Sequence, residues 1–275
     1  MSESNHLHND AIKVLKETSR TFFIPISHLS LDLKDAVASA YLCMRAIDEI
    51  EDHPELKAEV KDQLLRFISI LLESPQASFN NDALKAILKP YKVHLPEVTL
   101  RLGDWIKLCP AGAADKMMNA TSIMAKGMAK WALKDWQIKT EEELDEYTYY
   151  VAGLVGVMLS DIWQWHDNIE TDQNLAIGFG RGLQSVNILR NRSEDKTRGV
   201  NFFPEGWETE DMFNYARRNL AQADEYVKSI HHTEILNFCK IPLALAHGTL
   251  DVLVKGEEKL TRASVTEIVS DVVGE

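Results

Sequence analysis

Proline and glycine are scarce in this chain, at 8 and 13 of 275 residues. Both interrupt regular structure, and the long stretches between them favour an all-α chain over a barrel or a sandwich. Cysteine is scarcer still. Cys43, Cys109 and Cys239 lie far apart and are odd in number, so they form neither a CxxC pair nor a disulfide framework. Positive charge is short as well. The formal net charge is −12 and no basic run is interleaved with aromatics, which excludes a nucleic-acid partner while leaving room for a local basic patch around an anionic substrate. No window reaches about 18 apolar residues without a charge, and the opening MSESNHLHND is too polar for a secretory signal. The expectation is a cytoplasmic protein, which an apolar substrate could still draw to a membrane surface as a peripheral contact.

What is present is helical periodicity. Asn9 or Asp10 caps a first segment whose apolar stripe is interrupted at Ser19 and which Pro25 closes or bends. Ser30 opens LSLDLKDAVASAYLCMRAIDEIED, stopped soon after by Pro54. ELKAEVKDQLLRFISILLES is amphipathic. Pro75, Pro90 and Pro96 punctuate the next stretch, with a helix between the first two. KMMNATSIMAKGMAKWALKDW is a Met-rich helix weakly broken at Gly127, and its Met stripe reads as core filling. Thr140 with Glu143 makes a capping box ahead of TEEELDEYTYYVAGLVGVMLSDIWQW, where Ala152, Gly153 and Gly156 let a helix or a ligand come close. LAIGFGRGLQSVNILRNRSED is the next helix, ended by Arg198–Gly199, with VNFFPEGW as loop and two further helices beyond. Nothing marks a linker, so one bundle of about eight to ten helices is expected.

Two helix faces carry chemistry. Tyr41, Arg45, Asp48 and Asp52 are spaced by four, three and four residues and share one face, while Glu49 and Glu51 point away from it. A solvated Arg–Asp face is one reading. Against it, the upstream half is apolar all round, and carboxylates at i and i+4 repel unless a cation joins them. Such a pair suits Mg²⁺, which binds through one or two carboxylates plus substrate phosphates. Gln184, Asn187, Asn191 and Asp195, with Arg198 nearby, form a second polar seam between Leu183, Val186, Ile188 and Leu189. That seam is either a hydrogen-bonded network between helices or half of a metal site shared across a bundle. GFGRG at 178–182 has no preceding strand and reads as small residues at a helix start, so NADPH is not expected. His166, His231 and His232 show no zinc spacing with cysteine.

Five segments resemble the squalene/phytoene synthase family: TSRTFF (18–23), YLCMRAIDEIED (41–52), YTYYVAGLVGVML (147–159), GLQSVNILRNRSED (182–195) and RGVNFFP (198–204). Together they cover roughly residues 15 to 205 in the family's order. The resemblance implies a single-domain isoprenoid-synthase-like helical bundle over residues 1–275, with a central cavity. It implies a prenyl diphosphate substrate, typically farnesyl or geranylgeranyl diphosphate, and Mg²⁺, two or three ions with the diphosphate. Loss of diphosphate then makes an allylic cation, which a second prenyl chain captures through a cyclopropyl intermediate. Asp48 and Asp52 would hold Mg²⁺, with Asp195 and the position of Asn191 facing them across the cavity. Ser19, Arg20, Thr21 and Arg45 match positions that touch diphosphate oxygens. Tyr41, Tyr147, Gln184, Asn187 and Arg190 match other pocket positions, with Arg198 on the same substrate-binding side and the two tyrosines in the catalytic set. Phe22, Val151, Leu154, Val155 and Leu159 would line the prenyl slot, where burial is worth about 0.8 kcal/mol per CH₂.

The sequence also departs from the family. NILRN places Asn191 where the second acidic block has Asp, and an opposite-charge pair about 4 Å apart is worth roughly 4 kcal/mol at an effective dielectric of about 20. Val200 and Phe202 stand for an Arg and a Tyr, Trp131 for an Asp, and Leu250 for a Tyr. These changes leave Arg45, Asp48 and Asp52 intact and weaken the site that steers a second substrate. The expectation is therefore a Mg²⁺-dependent farnesyl diphosphate phosphohydrolase that releases farnesol and diphosphate. Head-to-head synthesis of squalene, dehydrosqualene or phytoene is the alternative. Cyclisation is a lesser one, and a non-catalytic prenyl-lipid binding protein is the reading from a different class.

Overall fold

The computed structural model describes the backbone of residues 3–274, and their side chains except at 3–5, 20, 21 and 273. Fourteen α-helices and no strand occur among the described residues. The chain forms two compact units, residues 1–135 with 164–168, and residues 136–163 with 169–275. Non-glycine residues with positive φ stand where the chain passes from one unit to the other: Asp135 and Trp136, both 51°, and Asn168, 53°.

In the first unit, α1 (Glu3–Thr18) begins upstream of the expected caps. Asp10 is inside the helix, because its carboxylate has a better partner in Arg101, 3.0 Å away. Ser19 ends the run by turning extended (φ −148°) and capping α2 (Arg20–Ser27), its hydroxyl accepting from the Phe22 amide at 3.0 Å. Pro25 lies inside α2 rather than closing it, and that short helix ends two residues later. Then come α3 (Leu31–Glu51), α4 (Ala58–Leu72), α5 (Asn81–Leu88), α6 (Glu97–Leu100), α7 (Leu102–Leu108) and α8 (Ala111–Leu133). Central to the unit is α3, packed by α1, α4, α6, α7 and α8, while α4 lies along α8. Two hydroxyls tie α3 down: Ser39 donates to the Trp105 carbonyl at 2.7 Å, and Thr99 to the Ala46 carbonyl at 2.9 Å. The break expected at Gly127 does not occur. A helical glycine costs about 1 kcal/mol, and buried Met124, Met128 and Trp131 outweigh it. The Met stripe is core, with Met117, Met118, Met124 and Met128 all buried.

In the second unit, Thr140 caps α9 (Glu141–Thr148), accepting from the Glu143 amide at 3.2 Å. Glu143 reaches back to the Lys139 amide instead of Thr140, so only half of the expected box forms. A π-helical turn, Tyr149–Gly153, separates α9 from α10 (Leu154–Asp167), and α11 (Gln173–Thr197) comes next. The physical reason lies in close backbone contact. A Cβ on Gly180 would meet the Ala152 carbonyl oxygen at 2.1 Å, and one on Gly156 would meet that of Ala176 at 2.0 Å. The small residues of VAGLVG therefore admit a helix. Gly178 and Gly182 turn instead to α12 (Thr209–Lys228), against Gln222 and Leu220. GFGRG is thus a two-sided packing segment within α11, which starts earlier, at Gln173, under an Asp172 cap. Beyond it, α13 (Thr233–Val254) also packs on α11, and α14 (Arg262–Val273) lies on α13. Among the described residues no helix is long and apolar enough to cross a membrane, and Cys43, Cys109 and Cys239 are buried free thiols.

Candidate functional site

The first candidate face is the C-terminal half of α3. Arg45 donates through Nη1 to Asp48 Oδ2 at 2.6 Å and through Nη2 to Glu49 Oε1. Glu49 therefore does not point away, as the face-counting expected. It is the second acceptor of the same guanidinium, which an i,i+4 Arg–Glu rule would have found. Burial pushes the Asp48 carboxyl up to about 7, the Asp52 carboxylate adds to the rise, and Arg45 opposes it. Asp52 closes the helix, its amide donating to the Asp48 carbonyl at 2.8 Å, and its side chain is exposed. Upstream, Tyr41 is half-buried with its hydroxyl 3.4 Å from the Thr18 carbonyl, and burial pushes its phenol up. Phe22 lies against it, ring centroids 5.9 Å apart. Ser19 accepts from the Phe22 amide, and its side chain also hydrogen-bonds the Tyr41 hydroxyl. The side chains of Arg20 and Thr21 lie outside the described residues.

The second face is on α11. Gln184, Asn187 and Asn191 are half-buried and Arg190 is exposed. Asn191 Oδ1 accepts from Arg190 Nε at 3.2 Å. Asp195 is buried, and its Oδ1 accepts from Arg198 Nη2 at 2.7 Å. It lines a crease with Arg192, Lys196, Val200 and Phe203. Nearby in the same unit, the buried ring of Tyr147 stacks on Phe202, 4.9 Å between centroids and 19° between planes. The sequence marked Phe202 only as a departure, and the partner of its ring lies 55 positions away (202 minus 147), where no short-range pattern reaches. Leu154 is buried, while Val151, Val155 and Leu159 are half-buried around the π turn and α10. Trp131 and Leu250, apolar where polar residues were anticipated, are core residues in their own units.

The donor chemistry of α3 fits Mg²⁺. Asp48 and Asp52 are hard oxygen donors one turn apart, Asp48 is held toward its neutral form by burial and its neighbour, and the Arg45 guanidinium beside it is shared with Glu49. Among the described residues no group of three or more His, Cys, Asp and Glu side chains is arranged to hold a metal. Two carboxylates without a closed cage suit an ion that keeps water and substrate phosphates in its coordination sphere. On α11 the fit is poorer, since Asn191 brings no charge and Asp195 is engaged by Arg198.

Comparison with known proteins gives one answer. The squalene/phytoene synthase family model matches residues 15–212. A squalene synthase of Rattus norvegicus is 28% identical over 293 residues, covering 94% of this chain and 68% of the relative. One from Solanum lycopersicum is 29% identical over 296 residues, covering 93% and 68%. Among solved structures, a ligand complex of TcSQS is 23% identical with a TM-score of 0.78, covering 97% of this chain and 86% of the other. A dehydrosqualene synthase with ligand is 19% identical with a TM-score of 0.66, covering 99% and 97%. These two likenesses establish the fold. The matched stretch takes in both polar faces, on α3 and on α11, and the chain belongs to the squalene/phytoene synthase family of enzymes that process prenyl diphosphates.

Proposed function

We propose that the protein couples two prenyl diphosphates head to head, forming squalene, dehydrosqualene or phytoene, with the whole chain working as one synthase domain. The observation that carries this is the family match through residues 15–212, joined by squalene synthases that align over 94% of the chain. Taken alone, the departures at Asn191, Val200, Phe202, Trp131 and Leu250 point to hydrolysis. The relatives are synthases, and that moves the reading to coupling.

Asp48 and Asp52 would hold Mg²⁺, whose charge neutralises the departing diphosphate. Arg45 adds a guanidinium beside Asp48 that can turn to a phosphate oxygen, with Glu49 keeping it oriented. Ser19, hydrogen-bonded to the Tyr41 hydroxyl, can turn its O–H to the same group. The C1–O bond of one substrate breaks with its electron pair leaving on the diphosphate. The double bond nearest the diphosphate of the second substrate supplies the pair for the new C–C bond, and the cation this leaves closes to a cyclopropyl diphosphate as the attacking carbon gives up a proton to the released diphosphate. Departure of the second diphosphate then ends in proton loss to dehydrosqualene or phytoene, whereas squalene also requires a hydride from NADPH. Apolar residues such as Phe22, Leu154 and Val155 exclude water from the cation. An apolar product of this size would leave toward a membrane surface, so peripheral contact belongs to the same reading.

The second reading, hydrolysis to farnesol, is favoured by one observation: α11 offers a single carboxylate in its seam, already engaged by Arg198. Farnesyl diphosphate and Mg²⁺, with and without NADPH, separate the two. A C30 hydrocarbon or a cyclopropyl diphosphate supports coupling. Farnesol as the sole organic product overturns it in favour of hydrolysis.

A further inference from the structure

The last turn of α3 is overloaded with negative charge. Asp48, Glu49, Glu51 and Asp52 fall within five residues, and no basic residue shares that turn. The same helix end bears carbonyls without intrahelical partners and a partial negative charge of about half an electron. Each feature favours fraying, yet the turn is closed by the hydrogen bond from the Asp52 amide to the Asp48 carbonyl at 2.8 Å.

A cation arrives from α4. Lys61 is only 6% exposed, and its Nζ donates to the Glu51 carbonyl at 2.5 Å. Its neighbours one turn on, Leu64 and Leu65, are fully buried, so Lys61 sits on the core side of an amphipathic helix. Lysine stems usually carry the ammonium out to water. Burying it is costly unless a strong partner compensates, and here the partner is the acidic end of α3. The chain leaving α3 is tied a second time. His53 Nε2 donates to the His94 carbonyl at 3.1 Å, and its Nδ1 accepts from the Glu55 amide at 3.2 Å.

We propose that Lys61 is a positioning residue for the Asp48–Asp52 pair, clamping the acidic end of α3 in helical register so that both carboxylates stand one turn apart before any divalent cation arrives. The metal half of this statement rests on the reading of Asp48 and Asp52 as Mg²⁺ ligands. Preorganised ligands need less ordering on binding, so losing the clamp weakens Mg²⁺.

Amide hydrogen exchange on the full chain tests it. Without Mg²⁺, the amides of residues 49–53 in Lys61→Met exchange roughly ten- to thirtyfold faster than in the wild type, the range for a partly buried cation at a helix C-terminus. Lys61→Arg retains protection. Lys61→Gln, a donor without charge, falls between and carries the comparison if Lys61→Met does not fold. With inorganic pyrophosphate present, the Mg²⁺ concentration that restores half of the protection is about tenfold higher in Lys61→Met. Unchanged protection at 49–53, or uniform acceleration across α3 and α4, overturns the clamp. Asp52→Asn judges the metal reading separately. If Mg²⁺ protects wild type and Asp52→Asn equally, that reading fails, while the metal-free comparison still decides for or against Lys61.

Discussion

On α3, one guanidinium is divided between Asp48 and Glu49, and a further carboxylate, Asp52, comes a turn later. On α11, Asp195 takes Arg198 and Asn191 takes Arg190, so each acceptor has its own guanidinium. The two helices are also held differently. Side-chain hydroxyls from Ser39 and Thr99 tie α3, whereas α11 is seated by glycines that let backbones touch. The contrast teaches where a divalent cation has most to contribute. Two nearby carboxylates with too little positive charge gain from an added ion, and an acceptor already paired gains less.

The sharpest break of this contrast is kinetic. Asp48→Asn should lower the rate of diphosphate release by about 10²- to 10³-fold, the scale for removing one electrostatic stabiliser of a leaving group. Asp195→Asn should lose about tenfold or less, because Arg198 already neutralises it. Equal losses, measured as inorganic diphosphate released from farnesyl diphosphate, would erase the distinction.

Next comes how each helix is held. Gly180→Ala drives a methyl into the Ala152 carbonyl and should cost about 3 kcal/mol in urea unfolding. Thr99→Val, which removes one tie on α3, should cost about 1 kcal/mol. Gly199→Ala should cost about 1 to 2 kcal/mol through its φ of +76° alone, since nothing lies within 4 Å of its added Cβ.

A pH series gives a smaller effect with a definite sign. The Asp48 carboxyl is raised to about 7 in the folded protein, first by burial and then by Asp52. An ordinary aspartate titrates near about 3.9. The folded state therefore binds the proton more tightly, so this group's contribution to stability is full below about pH 4 and is lost as pH rises through about 7. In EDTA, Asp48→Asn should flatten the fall in Tm over that window and melt higher than wild type at pH 8. A variant that melts lower at pH 8 rejects the assignment. The smallest expected change is that of Asn191→Asp, a few-fold rise in the share of coupled product at limiting Mg²⁺. An unchanged product ratio would show that the missing charge does not limit coupling.

Much of the site was legible because helical spacing is a local property. The α3 face, the end of α11 at Arg198–Gly199, the loop after it and the buried Met stripe all stem from residues three or four apart. The family's motifs added the chemistry. What escaped was whatever a distant partner decides. Asn9 and Asp10 look like caps until Arg101 claims Asp10. Glu49 looks outward when the face is counted from Cα directions, whereas a long Arg45 side chain reaches round to it. The π turn at Tyr149–Gly153 has no composition of its own and sits where Ala152 and Gly180 touch.

The sequence by itself determined an all-α chain, two polar helix faces and the family to which they belong, since periodicity and motif spacing are written within single turns of helix. Only the tertiary structure decided which charges are shared and which are matched, that Tyr147 stacks on Phe202, and that a lysine is buried against the acidic end of α3. The physical reason is that burial and pairing depend on which elements meet. A lysine that spacing alone would leave in water becomes, at 6% exposure, a fixed charge on the Glu51 carbonyl.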